Sequence, residues 1–405
     1  MSERNAYLII NAGSSSLKFC VFQGSGTEDL EVVFTGQMSG IGTQQAKFEA
    51  KDAHKHVLAS TALDQSDRAA LLGYLLDWIR SQLGGAKLVA AGHRVVHGGT
   101  RFAAPVRVTP QVMAELEAIV PLAPLHQPHN LAAIGALADV YPELPQVACF
   151  DTAFHQSQPW QSQVFAIPRE LTQEGVRRYG FHGLSYEYIA HRLPQVAPEL
   201  ADARVLVCHL GSGASLCAMA AGRSVDTTMG FTALDGVPMG TRPGTIDPGV
   251  LIYLMRQKGY GADEIEKLLY HKSGMLGVSG ISNDMRDLEG SEAPEAAEAV
   301  ELFCHGVAKQ GAALAASMGG LDAVVFTAGV GENSTLVRAR VTEKLGWLGV
   351  RLDPAANRAK ATRISAADSR IPVYVIPTDE EQMIARHTLR VLQAEQAAPV
   401  LAAAD

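Results

Sequence analysis

Apolar runs that end in small polar turns punctuate this chain, and two of them resume as strict alternation. Residues 7–22 read YLIINAGSSSLKFCVF. Tyr7, Leu8, Ile9 and Ile10 run into Asn11-Ala12-Gly13-Ser14-Ser15-Ser16, after which Leu17, Phe19 and Val21 alternate with Lys18 and Cys20. A buried run, a turn and an alternating run predict two strands folded back on each other. Residues 205–219, VLVCHLGSGASLCAM, repeat the arrangement around Gly211-Ser212-Gly213-Ala214-Ser215. A third glycine turn follows the apolar run in residues 324–334, VVFTAGVGENS, and is expected to lead into a helix capped by Asn333 or Ser334.

The remaining pattern fills in an α/β chain. Residues 31–59 alternate loosely, as a small antiparallel sheet does. Residues 67–83 place Leu71, Leu72, Leu75, Leu76, Ile79 and Leu83 on one helical face, stopped by Gly84-Gly85. Strands are predicted over 88–96, 146–151 and 372–376. A helix capped by Thr109-Pro110 ends near Pro121, and a Pro-rich turn with Leu125, His126 and His129 follows. A helix carrying Tyr186, Ile189 and Ala190, an Ala-rich helix over 296–318 and a last helix opened by Asp379-Glu380-Glu381 complete the set, with fraying expected after Ala394.

Composition narrows the class. The chain has 405 residues, 47% hydrophobic and 19% charged, enough for two domains with real cores. A net charge of −8 argues against a nucleic-acid-binding surface, which is usually basic. No apolar run is long enough to span a bilayer, and the polar start over residues 1–5 carries no signal-peptide core. Cys20, Cys149, Cys208, Cys217 and Cys304 lack CxxC spacing, so buried free thiols in a reducing cytosol are expected rather than a zinc site.

The turns carry the candidate chemistry. Backbone N–H groups and hydroxyls of the 11–16 turn can cradle phosphate oxygens, with Lys18 as a cation; the same stretch also suits an ordinary Ser-rich hairpin. Its recurrence at 211–215 suggests two related domains facing one cleft. Neither loop has the third glycine of a dinucleotide fingerprint, and no stretch fits the P-loop pattern. Arg94 ends an apolar strand beside His97-Gly98-Gly99, where a guanidinium meets an anion or faces solvent. Asp151 ends another buried strand, a usual place for catalytic groups in open α/β sheets, and also a place for a helix cap. His182 sits between glycines near Arg178. Residues 227–248 form a long Gly, Pro and Thr loop bearing Arg242, and loops of this length inside a domain are usually functional. Glu380 suits the dipole of the last helix, or a metal.

The motifs INAGSSSLK, GHRVVHGG, FDTAFH, YGFHGLS, HLGSGAS, MGTRPGTIDPG, TAGVGENS and IPTDEE, in this order over nearly the whole chain, resemble the acetate kinase family. That family belongs to the acetate-and-sugar-kinase, heat-shock-chaperone and actin superfamily. The resemblance implies an α/β fold of two duplicated ribonuclease-H-like (actin-like ATPase) domains, here 1–151 plus 382–405 and 152–381. It implies reversible, ATP-dependent phosphorylation of acetate to acetyl phosphate and ADP by a cytoplasmic homodimer using Mg²⁺ or Mn²⁺. By the same resemblance Asn11 and Glu380 hold the metal, and Lys18 and Ser16 lie near ATP phosphates. Arg94 and Arg242 bind the carboxylate and the transferring phosphoryl group, Asp151 is the catalytic acid/base, and His182 stabilises the transition state. His209, Leu210, Gly211, Ser212 and Gly213, Asp284, Met285 and Arg286, and Gly329, Val330, Gly331, Glu332 and Asn333 bind ATP, while Val96, Leu125 and Phe181 line the pocket for the substrate's methyl end.

Two departures stand out. The family often has Asn where this chain has Ser212, which shortens a reach toward phosphate, and Pro where Ala233 stands on the wall of the acyl pocket. A smaller wall leaves room for another methylene, worth about 0.8 kcal/mol, so propionate or butyrate competes with acetate as substrate. A carboxylate nucleophile is ionised near neutral pH and needs no strong base, so chemistry favours Asp151 as an orienting group. A nucleotide-gated binding module of the same superfamily is the rival from another class; it leaves Arg94, Arg242 and His182 without a purpose.

Overall fold

The computed structural model describes residues 5–27, 29–43, 46–64 and 67–397, so the polar start and the end of the chain beyond 397 lie outside the described residues. The chain divides into two compact units. The first runs to Ala153 and resumes at Asp379; the second spans Phe154–Thr378.

In the first unit the predicted hairpin is β1 (Asn5–Ala12) and β2 (Ser16–Gln23), followed by β3 (Glu31–Ser39), β4 (Ala46–Asp52) and β5 (Val57–Leu63). β6 (Lys87–Val95), β7 (Val106–Arg107) and β8 (Gln146–Phe150) complete an eight-stranded sheet ordered β5-β4-β3-β2-β1-β6-β8-β7. β1 runs antiparallel to β2 and parallel to β6, and β6 runs parallel to β8. Leu8, Ile10, Phe19 and Val21 face the helix Arg68–Gln82, whose Leu71, Leu72, Leu75, Leu76 and Ile79 are buried as their spacing predicts. Each such side chain contributes about 1.5–3 kcal/mol on burial. The helix Glu380–Ala397 covers β1, β6 and β8. Gly92 makes that approach possible, since a Cβ there would lie 2.3 Å from Thr388 Oγ1 and 2.7 Å from Ile384 Cγ2.

The second unit holds β9 (Arg204–Leu210), β10 (Ala214–Ala220), β11 (Arg223–Thr227), β12 (Ala323–Thr327) and β13 (Val373–Val375), ordered β11-β10-β9-β12-β13. β9 is antiparallel to β10 and parallel to β12, and β12 is parallel to β13. The senses match those of β3-β2-β1-β6-β8, so the same five-strand motif occurs twice in the chain. Tyr186, Ile189 and Leu193 of the helix Gly183–Val196 pack against Val205, Val207, Cys217 and Val325, while the helix Pro294–Ser317 packs on β9, β10 and β11. All five cysteines are free and buried, and burial pushes the thiols of Cys217 and Cys304 up to about 12.

Two stretches differ from expectation, and a third carries an element for which none was stated. The Pro-rich turn is half helix: Gln127 and Pro128 open the helix Gln127–Val140, where proline's missing N–H costs nothing. The third glycine turn is itself a short helix, Ala328–Asn333, and of the two proposed caps it is Ser334 whose Oγ accepts from Val337 N of the next helix, at 2.9 Å. Residues 248–258 form a helix, Pro248–Lys258, that buries none of its side chains; its uninterrupted apolar run conceals a helical period.

Candidate functional site

In the first unit, β-sheet register places four of the expected residues and the last helix supplies a fifth. Asn11, the penultimate residue of β1, lies directly opposite Lys18 of β2, so both side chains share one face. Arg94 on β6 pairs with Cys149 of β8, and Asp151 follows β8, its backbone N–H bonded to Val95 O at 3.1 Å. The Arg94 guanidinium then donates to Asp151 through both prongs, Nε to Oδ1 at 3.0 Å and Nη2 to Oδ2 at 2.5 Å, and through Nη1 to Asn11 Oδ1 at 3.3 Å. Glu380 at the start of the last helix comes within 3.9 Å of Arg94 Nε.

This cluster is electrostatically tight. Burial disfavours the Arg94 charge, but Asp151 and Glu380 outweigh it and hold the guanidinium above its ordinary pKa. Burial pushes the Asp151 carboxyl up while Arg94 opposes it. Burial raises Glu380 to about 7 against the pull of Arg94, with Asp151 and Glu381 adding to the rise. Val96 is buried and Leu125 half-buried in the same unit.

The turn between β1 and β2 is fixed by groups the sequence reading did not single out. Arg68 Nη2 donates to the carbonyls of Gly13 and Ser14, both at 3.3 Å. Asn130 joins the ends of two strands, accepting from Val96 N at 3.0 Å and donating to Ala12 O at 2.7 Å. Gln127 does the same for His97, one turn earlier on that helix. Polar residues spaced three apart in an apolar helix were the available signal.

In the second unit, His182 takes a left-handed backbone (φ 59°) at the head of the helix Gly183–Val196, a conformation rare outside glycine and held by its surroundings. Gly180 (φ 77°) lies two residues before it, where a Cβ would come within 2.6 Å of Cδ2 of the His155 ring, whose Nε2 donates to Phe181 O at 3.0 Å. Burial depresses His155 to about 4, so its ring is neutral at pH 7. The His182 ring stacks on His209 of β9 with centroids 4.2 Å apart, and its Nδ1 lies 2.8 Å from Ser215 Oγ on β10. Arg242 in the long loop donates from Nη1 to Ala233 O at 2.8 Å. A Cβ at Gly213 would lie 3.0 Å from Arg242 Nη2 and 3.5 Å from His182 Nε2, so an imidazole and a guanidinium meet over this glycine.

Beside them opens a cavity of about 640 Å³, within the range of small-molecule sites. Gly211 and Ser212 line it together with Asp284, Met285, Arg286, Gly329, Val330 and Asn333, all expected. Asn283 and Glu289, which flank the expected Asp284–Arg286, also line it, as do Phe303 and Gly240 from elsewhere in the unit. Leu210 and Gly331 are buried behind this wall, and Glu332 accepts from Thr378 N at 3.3 Å. Hydrogen bonds from Arg286 hold the Asp284 carboxyl down at about 2. Phe181 is buried in this unit and Ala233 half-buried.

Two mixed sheets that share one five-strand motif, flanked by helices and each carrying a small polar turn after its first strand, define the duplicated actin-like ATPase class. Comparison with known proteins gives the family. The sequence profile of the acetokinase family matches residues 6–386. The chain is 53% identical over 391 residues to an acetate kinase of Nitrobacter hamburgensis, covering 96% of each. Its fold is similar to a crystal structure of Porphyromonas gingivalis acetate kinase (TM-score 0.88, 35% identity, 96% of this chain and 100% of the other). It is equally similar to a propionate kinase from Francisella tularensis (TM-score 0.89, 38% identity, 95% and 98%). The chain belongs to the acetokinase family and is a kinase.

Proposed function

We propose that this kinase transfers the γ-phosphoryl group of ATP to acetate, reversibly, giving acetyl phosphate and ADP. An acetate oxygen attacks the γ-phosphorus in line; the bond to the bridging oxygen breaks, and its electron pair leaves on the β-phosphate of ADP. The supporting observation is the β9–β10 turn, whose Gly211 and Ser212 line a nucleotide-sized cavity while Gly213 carries Arg242 and His182. Phosphoryl transition states spread charge over equatorial oxygens, so fixed donors and cations do most of the catalysis. Arg242 and His182 supply them in the second unit; Arg94 supplies a planar fork suited to a carboxylate in the first. Asp151 has both oxygens engaged by Arg94, so its role is to aim that guanidinium rather than to carry a proton.

The oxygen donors Asn11 Oδ1 and Glu380 fit a hard divalent ion such as Mg²⁺ or Mn²⁺. Among the described residues no three His, Cys, Asp or Glu side chains converge as a metal cage, which suits an ion that keeps waters and phosphate oxygens as ligands. Such an ion would neutralise charge on the β- and γ-phosphates, and its own charge would favour the ionised form of Glu380. Lys18 and Ser16 flank the first turn as further phosphate partners.

By the family resemblance, Val96 and Leu125 of the first unit and Phe181 and Ala233 of the second are each assigned to the substrate's methyl end. A second substrate, propionate, is favoured by the small Ala233 wall and by the likeness to a propionate kinase; one methylene discriminates by only roughly 10–200-fold. A hydroxamate assay for acyl phosphate, with ATP, Mg²⁺ and acetate, propionate or butyrate in parallel, tests both. The highest kcat/KM is expected with acetate; a lead for propionate reassigns the pocket, and no acyl phosphate from any acid refutes the reading.

The assembly proposed is a homodimer. The helix Pro248–Lys258 leaves Val250, Ile252, Tyr253 and Met255 each at least 40% exposed, an apolar face that a second copy would cover. Sedimentation of the Tyr253→Glu variant as a monomer would support that surface. The buried free thiols fit a reducing, cytoplasmic setting.

A further inference from the structure

The stacked pair His182 and His209 has two hydroxyl systems behind it that face opposite ways. Behind His182, Ser215 is fully buried, and its Oγ touches Nδ1 at 2.8 Å and the hydroxyl of Tyr186. Tyr186 reaches it because it lies four residues after His182 on the same helix face. A phenol is the stronger donor and weaker acceptor of the two hydroxyls. With Tyr186 as the donor to Ser215, the serine proton is left for His182 Nδ1. In the neutral ring the proton then sits on Nε2, the nitrogen facing the space over Gly213 beside Arg242.

Behind His209 the direction reverses. Ser185 Oγ donates to Thr378 Oγ1 at 2.8 Å. Its proton is committed there, so it can only accept at its 2.8 Å contact with His209 Nδ1. In the neutral ring the proton then sits on Nδ1 and the lone pair on Nε2.

We infer that the Tyr186–Ser215 and Ser185–Thr378 hydroxyl pairs lock His182 and His209 in opposite neutral tautomers, which makes Ser215 and Tyr186 positioning residues for His182. The functional part rests on reading His182 as a donor to the transferring phosphoryl group. An Nε2–H stabilises an oxyanion there, whereas an Nε2 lone pair would repel it. The tautomer itself is independent of that reading.

Long-range ¹H–¹⁵N correlation on the full chain labelled with ¹⁵N-histidine tests this, with signals assigned by their loss in His182→Ala and His209→Ala. The expected wild-type result is a pyridine-like Nδ1 and pyrrole-like Nε2 for His182, and the converse for His209. Ser215→Ala and Tyr186→Phe should both mix the His182 pattern, and Ser215→Thr should restore it. In the acyl-phosphate assay Ser215→Ala should lower kcat by up to about 10²-fold, as loss of one oxyanion donor does, with KM for ATP nearly unmoved. A wild-type His182 protonated on Nδ1 or on both nitrogens overturns the inference. So does a His182 pattern that neither variant alters; Tyr186→Phe keeps this outcome readable if Ser215→Ala fails to fold. A wild type that shows the two tautomers yet forms no acyl phosphate refutes the phosphoryl-transfer reading and leaves the tautomer assignment standing.

Discussion

The β1–β2 and β9–β10 turns occupy the same place in the same strand order and share a backbone frame, in the first Gly13 N to Ser16 O at 2.8 Å and Ile41 N to Ser15 O at 3.0 Å, yet what is added to that frame differs. The first is tied down by long side chains from elsewhere, Arg68 on the carbonyls of Gly13 and Ser14 and Asn130 on that of Ala12. The second is held backbone to backbone, Gly211 N to Gly213 O at 3.2 Å and Gly240 N to Ser212 O at 3.1 Å. Its neighbours approach because side chains are missing. A Cβ on Gly274 (φ 61°) would lie 2.1 Å from Met239 O and 2.7 Å from Arg242 O. Topology alone thus leaves open how a turn is fixed; one turn is sensitive to losing atoms and the other to gaining them.

The sharpest test of this contrast removes the cation at the second turn. Arg242→Ala should lower kcat by about 10³–10⁵, the scale of a lost arginine finger; a loss under about tenfold in the acyl-phosphate assay would show that the second turn does not hold the decisive charge. Acid comes next. Burial depresses His93, His97 and His155 to about 4, against about 6.5 in an unfolded chain. Between those values the unfolded state binds more protons, so stability is complete above about 6.5 and falls as pH drops toward 4, by up to about 1.4 kcal/mol per unit for each ring. Two of the three rings lie in the first unit. Urea melts at pH 7.5 and 5.0 should show its Trp78 signal losing more stability than that of Trp160 and Trp347 in the second.

Adding atoms gives the third effect. Gly274→Ala meets both a backbone clash and a left-handed φ, and should cost about 1–3 kcal/mol of stability, read by denaturant titration. Gly73→Ala, in open space inside the Arg68–Gln82 helix, is the matching change in the first unit and should be neutral or stabilising. The smallest effect is at the clamp. Arg68→Ala removes two long hydrogen bonds, each worth about 0.5–1.5 kcal/mol, and should raise KM for ATP severalfold with kcat held. An unchanged KM would mean the first turn keeps its shape without that side chain.

Much of this was legible in the chain because strands write their burial into short, local patterns. Both hairpins and the strand ends bearing Arg94 and Asp151 follow from such patterns, whereas the grouping of Gly211, Asp284 and Gly329 was implied only by the family resemblance. What escaped was of two kinds. Gln127 and Asn130 sit in a helix that prolines make look like a turn, and the unbroken apolar run of residues 250–255 hides a helical period. The other kind is long-range: Ser215 meets His182 from 33 residues away, and Phe303 of the helix Pro294–Ser317 reaches the cavity lined by Gly211 and Gly329. No local period records such meetings.

The buried cysteines give the molecule a set of native clocks. Cys20 and Cys149 lie on β2 and β8, Cys208 and Cys217 on β9 and β10, and Cys304 on the helix Pro294–Ser317. A thiol reagent can reach any of them only when that layer breathes, and burial keeps the thiols of Cys20, Cys208, Cys217 and Cys304 protonated until it does. Labelling rates in native buffer, resolved peptide by peptide, would time the opening of each sheet separately, and nucleotide would slow whichever clocks belong to the layer it holds shut.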